Sequence, residues 1–211
     1  KRGQKVTQRV YVGRRKLPDN DVNPCLFWPP GRPPSKSLLI EGPYPQALMP
    51  SAYAIYDFDP KLAKKAAVVM GKSELEENGQ NLSLVLKNIL EDPEKKRKFS
   101  NLIRDLLPFV KDLRTEKFAD RSLMLKLSES YHEDEYFPAP FISDGTVNVS
   151  ALLIALYFEK KDLVIIEEPE RNIHPHLISG LVEMLKDASR NKQIIVTTHS
   201  PEVVRHAGVE N

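Results

Sequence analysis

Hydrophobic and polar positions alternate between helical and strand-like patterns in the last third of the chain. They predict helices over about 146–158 and 176–188, strands over about 162–167 and 193–198, and a further helix after the second strand. The strand segments contain the apolar runs LVII and QIIV, which are typical of parallel strands buried on both faces. This order of elements predicts an α/β fold with a parallel sheet.

The middle of the chain has the spacing of amphipathic helices. The apolar residues of 82–90 fit one helix face, which follows a turn at 79–81. A second helix is predicted to take Asp92 as its N-cap and Pro93 as its first residue, and to stop at Pro108. Its apolar face has the i, i+3, i+4 spacing, with Phe99, Leu102, Ile103, Leu106 and Leu107.

The segment 114–127 has the pattern of a β-hairpin. Apolar and polar residues alternate on both sides of a turn at 119–121. The sequence therefore predicts a small antiparallel element within the helical region.

Proline dominates the segment that precedes these helices. Nine prolines occur between Pro18 and Pro50, a density that excludes helix interiors and central strands. The segment is predicted to connect or cover other elements, with Trp28 as an apolar anchor. Before it, the alternation over 6–13 predicts one or two short strands.

Length and composition indicate a globular protein. The chain has 211 residues, of which 41% are hydrophobic, enough to bury a core. No stretch approaches the roughly 18 consecutive apolar residues of a membrane span, so no membrane partner is expected. The single cysteine, Cys25, cannot form an internal disulfide, which fits a reducing compartment, and the expected location is the cytoplasm.

The charge is nearly balanced overall but uneven along the chain. Lys plus Arg is 31 and Asp plus Glu is 29, so the net charge of +2 argues neither for nor against a polyanionic partner. Residues 1–16 nevertheless hold seven Lys or Arg and no acid. This basic arm is interpreted as a solvated edge hairpin or a boundary segment, with contact to DNA phosphates as the alternative.

Two adjacent carboxylates follow the first buried strand. Glu167 and Glu168 end the strand and Pro169 stops it, which places both acids at the carboxyl edge, where open α/β sheets bind ligands. Adjacent strand residues face opposite ways, so one carboxylate can address a metal ion while the other orients a water. A solvated strand end is the alternative interpretation.

The second buried strand ends in hydroxyls and a histidine. Thr197 and Thr198 precede His199. If this strand pairs in parallel with the first, His199 lies at the same sheet edge as Glu168. A histidine that only caps a loop is the alternative for His199 taken alone.

A third motif stands before the helix predicted over 146–158. Ser143 and Asp144 are capping residues, and Gly145 would let a phosphate approach the backbone. Free amides at a helix start also attract anions. A plain N-cap explains this motif equally well in isolation.

In this order, the three motifs give the tail a family resemblance. Residues 141–207 resemble the C-terminal half of an ABC-type ATPase head, and within that class the AAA-family ATPases grouped with the overcoming-lysogenization-defect and recombination or chromosome-maintenance heads. The segments 56–60 and 75–86 resemble the helical lobe that precedes the signature loop in these proteins. Transport ATPases are less similar, since their signature loop has two glycines and a glutamine where this chain has Asp144–Thr146.

The resemblance implies a partial P-loop NTPase core with a parallel sheet, a helical lobe and small antiparallel β elements. It implies an N-terminal β and proline-rich segment over 1–55, a helical lobe with a β-hairpin over 56–140, and the C-terminal ATPase core over 141–211. ATP and Mg²⁺ are the implied ligands.

The resemblance also implies roles for the residues at the sheet edge. Glu168 aligns with the glutamate that polarises the attacking water, and His199 with the switch histidine at the γ-phosphate. Glu167 stands where the family usually has a metal-supporting aspartate. Since glutamate is one methylene longer, Mg²⁺ would be reached through water with altered geometry.

Dimer contacts follow from the resemblance as well. Ser143 and Gly145 are expected to contact the γ-phosphate of a nucleotide held by the opposite protomer. The segment 171–175 matches the loop that crosses the dimer interface, with Asn172 as the expected contact. A homodimer that closes through this face is therefore implied.

The phosphate-binding loop G-x-x-x-x-G-K-[ST] does not occur in these 211 residues. Gly31–Ser37 has the wrong glycine spacing, and its prolines remove amide donors. Gly71–Ser73 ends correctly but follows a helical Lys/Ala run instead of a strand. The loop is expected upstream of Lys1 or in another chain.

Two functions remain open on the sequence alone. The first is an ATP-hydrolysing head whose nucleotide-driven dimerisation controls a partner, for which the resemblance implies a nuclease that acts on DNA. The second is a non-catalytic fragment or degenerate head that serves as a dimerisation or interaction module.

Overall fold

The computed structural model describes residues 8–12, 53–69, 73–119, 121–132 and 135–208. The strands are β1 Gln8–Val12, β2 Tyr53–Tyr56, β3 Ala67–Val68, β4 Val110–Ala119, β5 Ser122–Glu129, β6 Phe137–Pro138, β7 Leu163–Glu167 and β8 Gln193–Thr198. The α-helices are α1 Pro60–Ala63, α2 Leu82–Leu90, α3 Pro93–Leu106, α4 Asp144–Tyr157, α5 Ile178–Ala188 and α6 Pro201–Ala207. Short 3₁₀ turns cover Ala139–Phe141 and Pro175–Leu177.

Several predictions lie outside the described residues. They concern the basic arm apart from β1, the proline-rich segment with Cys25 and Trp28, the Gly31–Ser37 motif, and Gly71 with Lys72.

The first sheet has the strand order β1-β8-β7-β2. β7 pairs in parallel with both β8 and β2, which confirms the predicted parallel pair. β1 runs antiparallel to β8, so the sheet is mixed instead of wholly parallel. An antiparallel strand at the edge of a parallel sheet is a common arrangement. β2 was not predicted as a strand, and it spans the boundary expected between residues 55 and 56.

One face of the β7–β8 pair is fully buried. Val164 and Ile166 of β7 and Ile194 and Val196 of β8 are at most 1% exposed and share one core with α4. On the opposite face, Leu163, Ile165 and Ile195 are only partly buried. The prediction that these strands are buried on both faces is therefore correct for one face and only partly correct for the other. A continuous apolar run shows that both faces of a strand are apolar, but it does not show what covers each face.

α4 is apolar on almost every side and is the central helix of the core. Its buried apolar side chains are Val147, Val149, Ala151, Leu152, Leu153, Ile154, Ala155 and Leu156. A helix that is hydrophobic all round must be surrounded by other elements. α4 contacts α1, α3 and α5 among the described helices, so its first turn is held in a fixed place relative to the sheet.

The two predicted helices of the middle region are confirmed. Asp92 caps α3, since its Oδ1 accepts hydrogen bonds from the amides of Glu94 at 3.0 Å and Lys95 at 3.2 Å. Pro93 occupies the first helical position, where a missing amide costs nothing. α3 ends at Leu106, two residues before Pro108.

The predicted hairpin is also confirmed and forms a second sheet. β4 and β5 pair along most of their length, and the sheet has the order β3-β5-β4 with β6 added beside β5. Its inner side chains, among them Leu113 and Leu125, are buried, and the sheet packs on α2. This second sheet therefore packs against the helical region. Within the described part of the chain, no helix has the length and apolar character needed to cross a membrane.

Candidate active site

Three parallel strands end at the same edge of the first sheet. In the register of the strands, Glu167 lies beside Thr197 and Ile166 beside Tyr56. The residues that follow the strands, Asp57, Glu168 and His199, therefore meet there. His199 Nε2 lies 3.4 Å from Glu168 Oε1, which confirms that the parallel pairing brings the histidine and the glutamate to one edge.

Glu168 leaves the strand with an unusual backbone. Its φ is 43°, in the left-handed region, which costs a residue other than glycine about 1–2 kcal/mol. Its amide still donates to the carbonyl of Thr197 at 2.9 Å, and its own carbonyl accepts from the amide of Arg171 at 2.9 Å. The chain therefore turns sharply at Glu168 while staying bonded to β8.

Arg171 joins two carboxylates that come from different strands. Its Nε donates to Glu168 Oε2 at 3.1 Å, and its Nη1 donates to Asp57 Oδ1 at 3.0 Å. Burial lowers the pKa of the Arg171 guanidinium, but the hydrogen bonds to Asp57 and Glu168 outweigh that effect and raise it. The guanidinium is therefore a permanent positive charge between the two acids.

Glu167 is the last residue of β7 and is partly buried. In the regions that the structure describes, no three His, Cys, Asp or Glu side chains converge as a preformed metal cage. A nucleotide-bound Mg²⁺ does not require one, because it takes one or two carboxylates and completes its shell with water and phosphate oxygens. The hard oxygen donors at this edge fit such an ion.

The start of α4 is capped as predicted. Ser143 has an extended backbone, and its Oγ accepts from the amide of Thr146 at 3.1 Å and lies 2.7 Å from the Thr146 hydroxyl. Asp144, in the first turn, forms an ion pair with Lys64, the residue that follows α1. The first turn of α4 is thus tied to the helical region.

Gly145 packs directly against the loop that follows β7. A β-carbon at Gly145 would lie 2.5 Å from the carbonyl oxygen of Asn172, whose own φ is 63°. Next to this contact, Asn148 Nδ2 donates to the carbonyl of Arg171 at 2.8 Å. The close packing on Asn172 therefore explains why position 145 is a glycine, in addition to the approach of a phosphate expected from the sequence.

The predicted site residues form two neighbouring groups. Glu167, Glu168 and His199 lie at the sheet edge, and Ser143 and Gly145, which the sequence predicts as signature-loop residues, lie at the start of α4. The loop over 168–172 joins the groups, since it begins at Glu168 and passes Gly145 at Asn172.

Several contacts of this site were not predicted from the sequence, where Arg171 was expected only as part of the interface loop 171–175. Arg171 binds Glu168, Asp57 binds Arg171 in turn, and Asn148 holds the backbone of Arg171. Glu170 accepts a hydrogen bond from the hydroxyl of Thr198, which also accepts from the amide of Ser200 at 3.0 Å. Two features of the sequence could have indicated these residues. Asp57 directly follows the apolar segment YAIY, and Arg171 is the single cation among the acids after β7.

We expect Gly145→Ala to lower the free energy of unfolding by about 1–3 kcal/mol, because the new methyl group would meet backbone that must shift. Gly180→Ala is the matched control: its β-carbon would meet only Leu106 Cδ1, at 2.7 Å, the end of a side chain that can rotate. Urea denaturation of both variants measures the difference. Equal stability of the two would contradict the tight contact at Gly145.

The family of the chain follows from a match over most of its length. Residues 40–205 match the model of a family described as "AAA domain, putative AbiEii toxin, Type IV TA system". The chain belongs to this AAA domain family. The match confirms the predicted AAA-family ATPase head, and it places the sheet edge and α4 inside a nucleotide-binding ATPase domain.

Solved structures that resemble the AAA domain include heads of SMC proteins. A Smc head bound to the C-winged helix domain of ScpA has 14% identity and a TM-score of 0.48, over 70% of this chain and 47% of that one. An SMC structure described for ATP-driven dimerization and DNA-stimulated activation has 14% identity and a TM-score of 0.46, over 61% and 78%. The Smc head of Pyrococcus yayanosii has 18% identity and a TM-score of 0.43, over 61% and 28%.

The AAA domain thus spans about half of the first of these SMC chains. No curated protein matches its sequence.

Proposed function

We propose that this chain is the C-terminal part of an ATP-binding and ATP-hydrolysing head whose nucleotide-dependent dimerisation controls a DNA-acting partner or a nuclease. One observation carries the proposal. In a chain of the AAA family, a carboxylate and an imidazole from neighbouring parallel strands meet at the carboxyl edge of the sheet, with His199 Nε2 3.4 Å from Glu168 Oε1.

In this proposal, the two adjacent glutamates have different tasks. Glu168 accepts a hydrogen bond from the attacking water. This contact orients the water so that a lone pair of its oxygen faces the γ-phosphorus. His199 donates a hydrogen bond to a γ-phosphate oxygen. Glu167 would support Mg²⁺, and the ion would supply positive charge that neutralises the phosphate oxygens. The exposure of the His199 side chain, 54%, supports a role at a surface that a nucleotide can reach.

The start of α4 and the adjacent loop form the proposed dimer face. Ser143 and Gly145 would meet the γ-phosphate of a nucleotide on the partner, with the free amides and the dipole of α4 favouring negative charge there. Asn172 would contact the partner directly. The packing of Asn172 on Gly145 supports this assignment, because it joins the two parts of the face into one surface.

The non-catalytic interaction module remains the second candidate. The sequence holds no G-x-x-x-x-G-K-[ST] loop, and both oxygens of Glu168 already have partners, His199 and Arg171. These contacts would also stabilise a head that only dimerises. The proposed site of action is the cytoplasm in either case, and a segment with a single cysteine suits its reducing conditions.

Calorimetric titration with Mg-ATP tests the proposal. We expect this chain alone to bind ATP weakly or not at all, because a phosphate-binding loop supplies most contacts to the β- and γ-phosphates. The full protein that contains such a loop is expected to bind and hydrolyse ATP.

Two outcomes would contradict the proposal in different ways. Micromolar affinity of the chain alone would point to Gly71–Ser73, and Lys72→Ala should then abolish that binding. Binding without any hydrolysis by the full protein would favour the interaction module.

A further inference from the structure

We infer that Arg171 is a positioning residue for ATP hydrolysis, which fixes the Glu168 carboxylate by tying it to Asp57. The inference rests on the proposed function and adds a residue to which the sequence assigned no role beyond the interface loop. Both the side chain and the backbone of Arg171 make the contacts that carry it.

The side chain of Arg171 is held by two acids. Nε reaches Glu168 at 3.1 Å and Nη1 reaches Asp57 at 3.0 Å, so two sides of the planar guanidinium are used at once. Asp57 follows β2 and Glu168 follows β7, which are paired strands. Because the sheet fixes the distance between these strands, Asp57 is a rigid anchor from which the guanidinium reaches Glu168.

The backbone of Arg171 is held from α4. Asn148 is 3% exposed, and its Nδ2 donates to the Arg171 carbonyl at 2.8 Å. The Arg171 amide donates to the carbonyl of Glu168 at 2.9 Å. The guanidinium therefore has little freedom to leave, and the start of α4 is connected to the Glu168 carboxylate through a short series of hydrogen bonds.

These contacts divide the two oxygens of Glu168 between different neighbours. Oε2 is bound by Arg171, and Oε1 lies on the side of His199 at 3.4 Å. With Oε2 fixed, the carboxylate cannot rotate freely, and Oε1 stays directed toward the side where His199 would meet the γ-phosphate. An error of about 1 Å in the position of a reacting group can cost about 10²-fold in rate.

The second acid of the loop does not compete for Arg171. Glu170 is bound instead by the hydroxyl of Thr198 at the end of β8. Glu168 therefore has Arg171 as its cationic partner within the loop, while Glu170 ties the same loop to the strand that leads to His199.

A double-mutant cycle in the full protein tests the inference. We expect Arg171→Met to lower kcat by about 10- to 100-fold with little change in KM, because the orientation of Glu168 matters mainly in the transition state. In a Glu168→Gln background, the same change should lower kcat by less than about 3-fold, since the carboxylate that Arg171 orients is already gone. Arg171→Lys should recover only part of the rate, because an ammonium cannot reproduce the fork between two acids.

Arg190→Met is the matched control, since Arg190 is 80% exposed and pairs with Asp187 on the surface, away from the edge. It should leave kcat unchanged. An equal loss from Arg171→Met in both backgrounds would overturn the inference and show a general structural role. If Arg171→Met does not fold, the same cycle is run with Asp57→Asn. A smaller effect of Asp57→Asn on kcat in the Glu168→Gln background supports the inference, and an equal effect in both backgrounds overturns it.

The inference and the proposed function fail in distinguishable ways. An unmutated full protein that does not hydrolyse ATP overturns both. A protein that hydrolyses ATP, loses activity in Glu168→Gln and keeps it in Arg171→Met overturns the inference alone.

Discussion

Glu168→Gln, in the protein that carries the phosphate-binding loop, is expected to lower ATP turnover by about 10²-fold or more while ATP affinity is retained. The amide keeps the shape of the side chain but loses the charge that orients the attacking water. That contact is needed mainly in the transition state, so binding in the ground state changes little. The variant should accumulate as a dimer with ATP bound.

Glu167→Gln is the comparison that separates the two adjacent glutamates. Loss of charge near the metal affects the ground state as well, so Mg-ATP binding itself should weaken. Steady-state turnover and calorimetric binding are measured for both variants. If Glu168→Gln kept near-normal turnover while Glu167→Gln lost it with binding intact, the roles of the two residues would be exchanged.

Ser143→Arg is expected to abolish ATP-dependent dimerisation. Ser143 caps the start of α4 at the face proposed to meet the partner's nucleotide, and a long side chain there would prevent close approach. The variant also loses the cap to the Thr146 amide, which costs about 1 kcal/mol, a loss that a folded domain tolerates. Analytical ultracentrifugation with and without Mg-ATP measures the dimer.

Ser189→Arg is the matched control for this substitution. Ser189 also stands at a helix end, after α5, where its hydroxyl donates to the carbonyl of Lys186 at 2.7 Å. It lies outside the proposed face, so this variant should dimerise normally. Unchanged ATP-driven dimers in Ser143→Arg would remove Ser143 from the interface.

Elements with a strong local signal were predictable from the sequence. The cap at Asp92 and the proline after it define the start of α3, and the apolar runs of β7 and β8 identify the core strands. β2 was missed because four residues, YAIY, are too short to show a period and stand just after a proline-rich segment. Its place beside β7 depends on pairing with a distant part of the chain.

The contacts of the candidate site also differ in whether the sequence could predict them. Glu168 and His199 could be brought together from the sequence, because two parallel strands joined by one crossover end at one edge. The ion pair between Arg171 and Asp57 could not, since Asp57 reaches the site only through β2. The packing of Gly145 on Asn172 is also a property of the folded chain, because a glycine in the first turn of a helix does not by itself reveal which segment packs against it.

The pairing of β2 with β7 has a consequence for the order in which the domain folds. Tyr53 pairs with Leu163, and the helical region with the second sheet is synthesised between them. α2, α3 and the β4–β5 hairpin make contacts close in sequence, so they can form on the ribosome before β7, the strand that pairs with β2 in the described part of the chain, has been synthesised. β1 can pair with β8 only later still, because β8 follows β7 in the sequence. The edge that brings Asp57, Glu168 and His199 together is therefore assembled only after β7 and β8 have been synthesised, and until then β2 lacks the partner strand that it has among the described residues, so a chaperone can protect it.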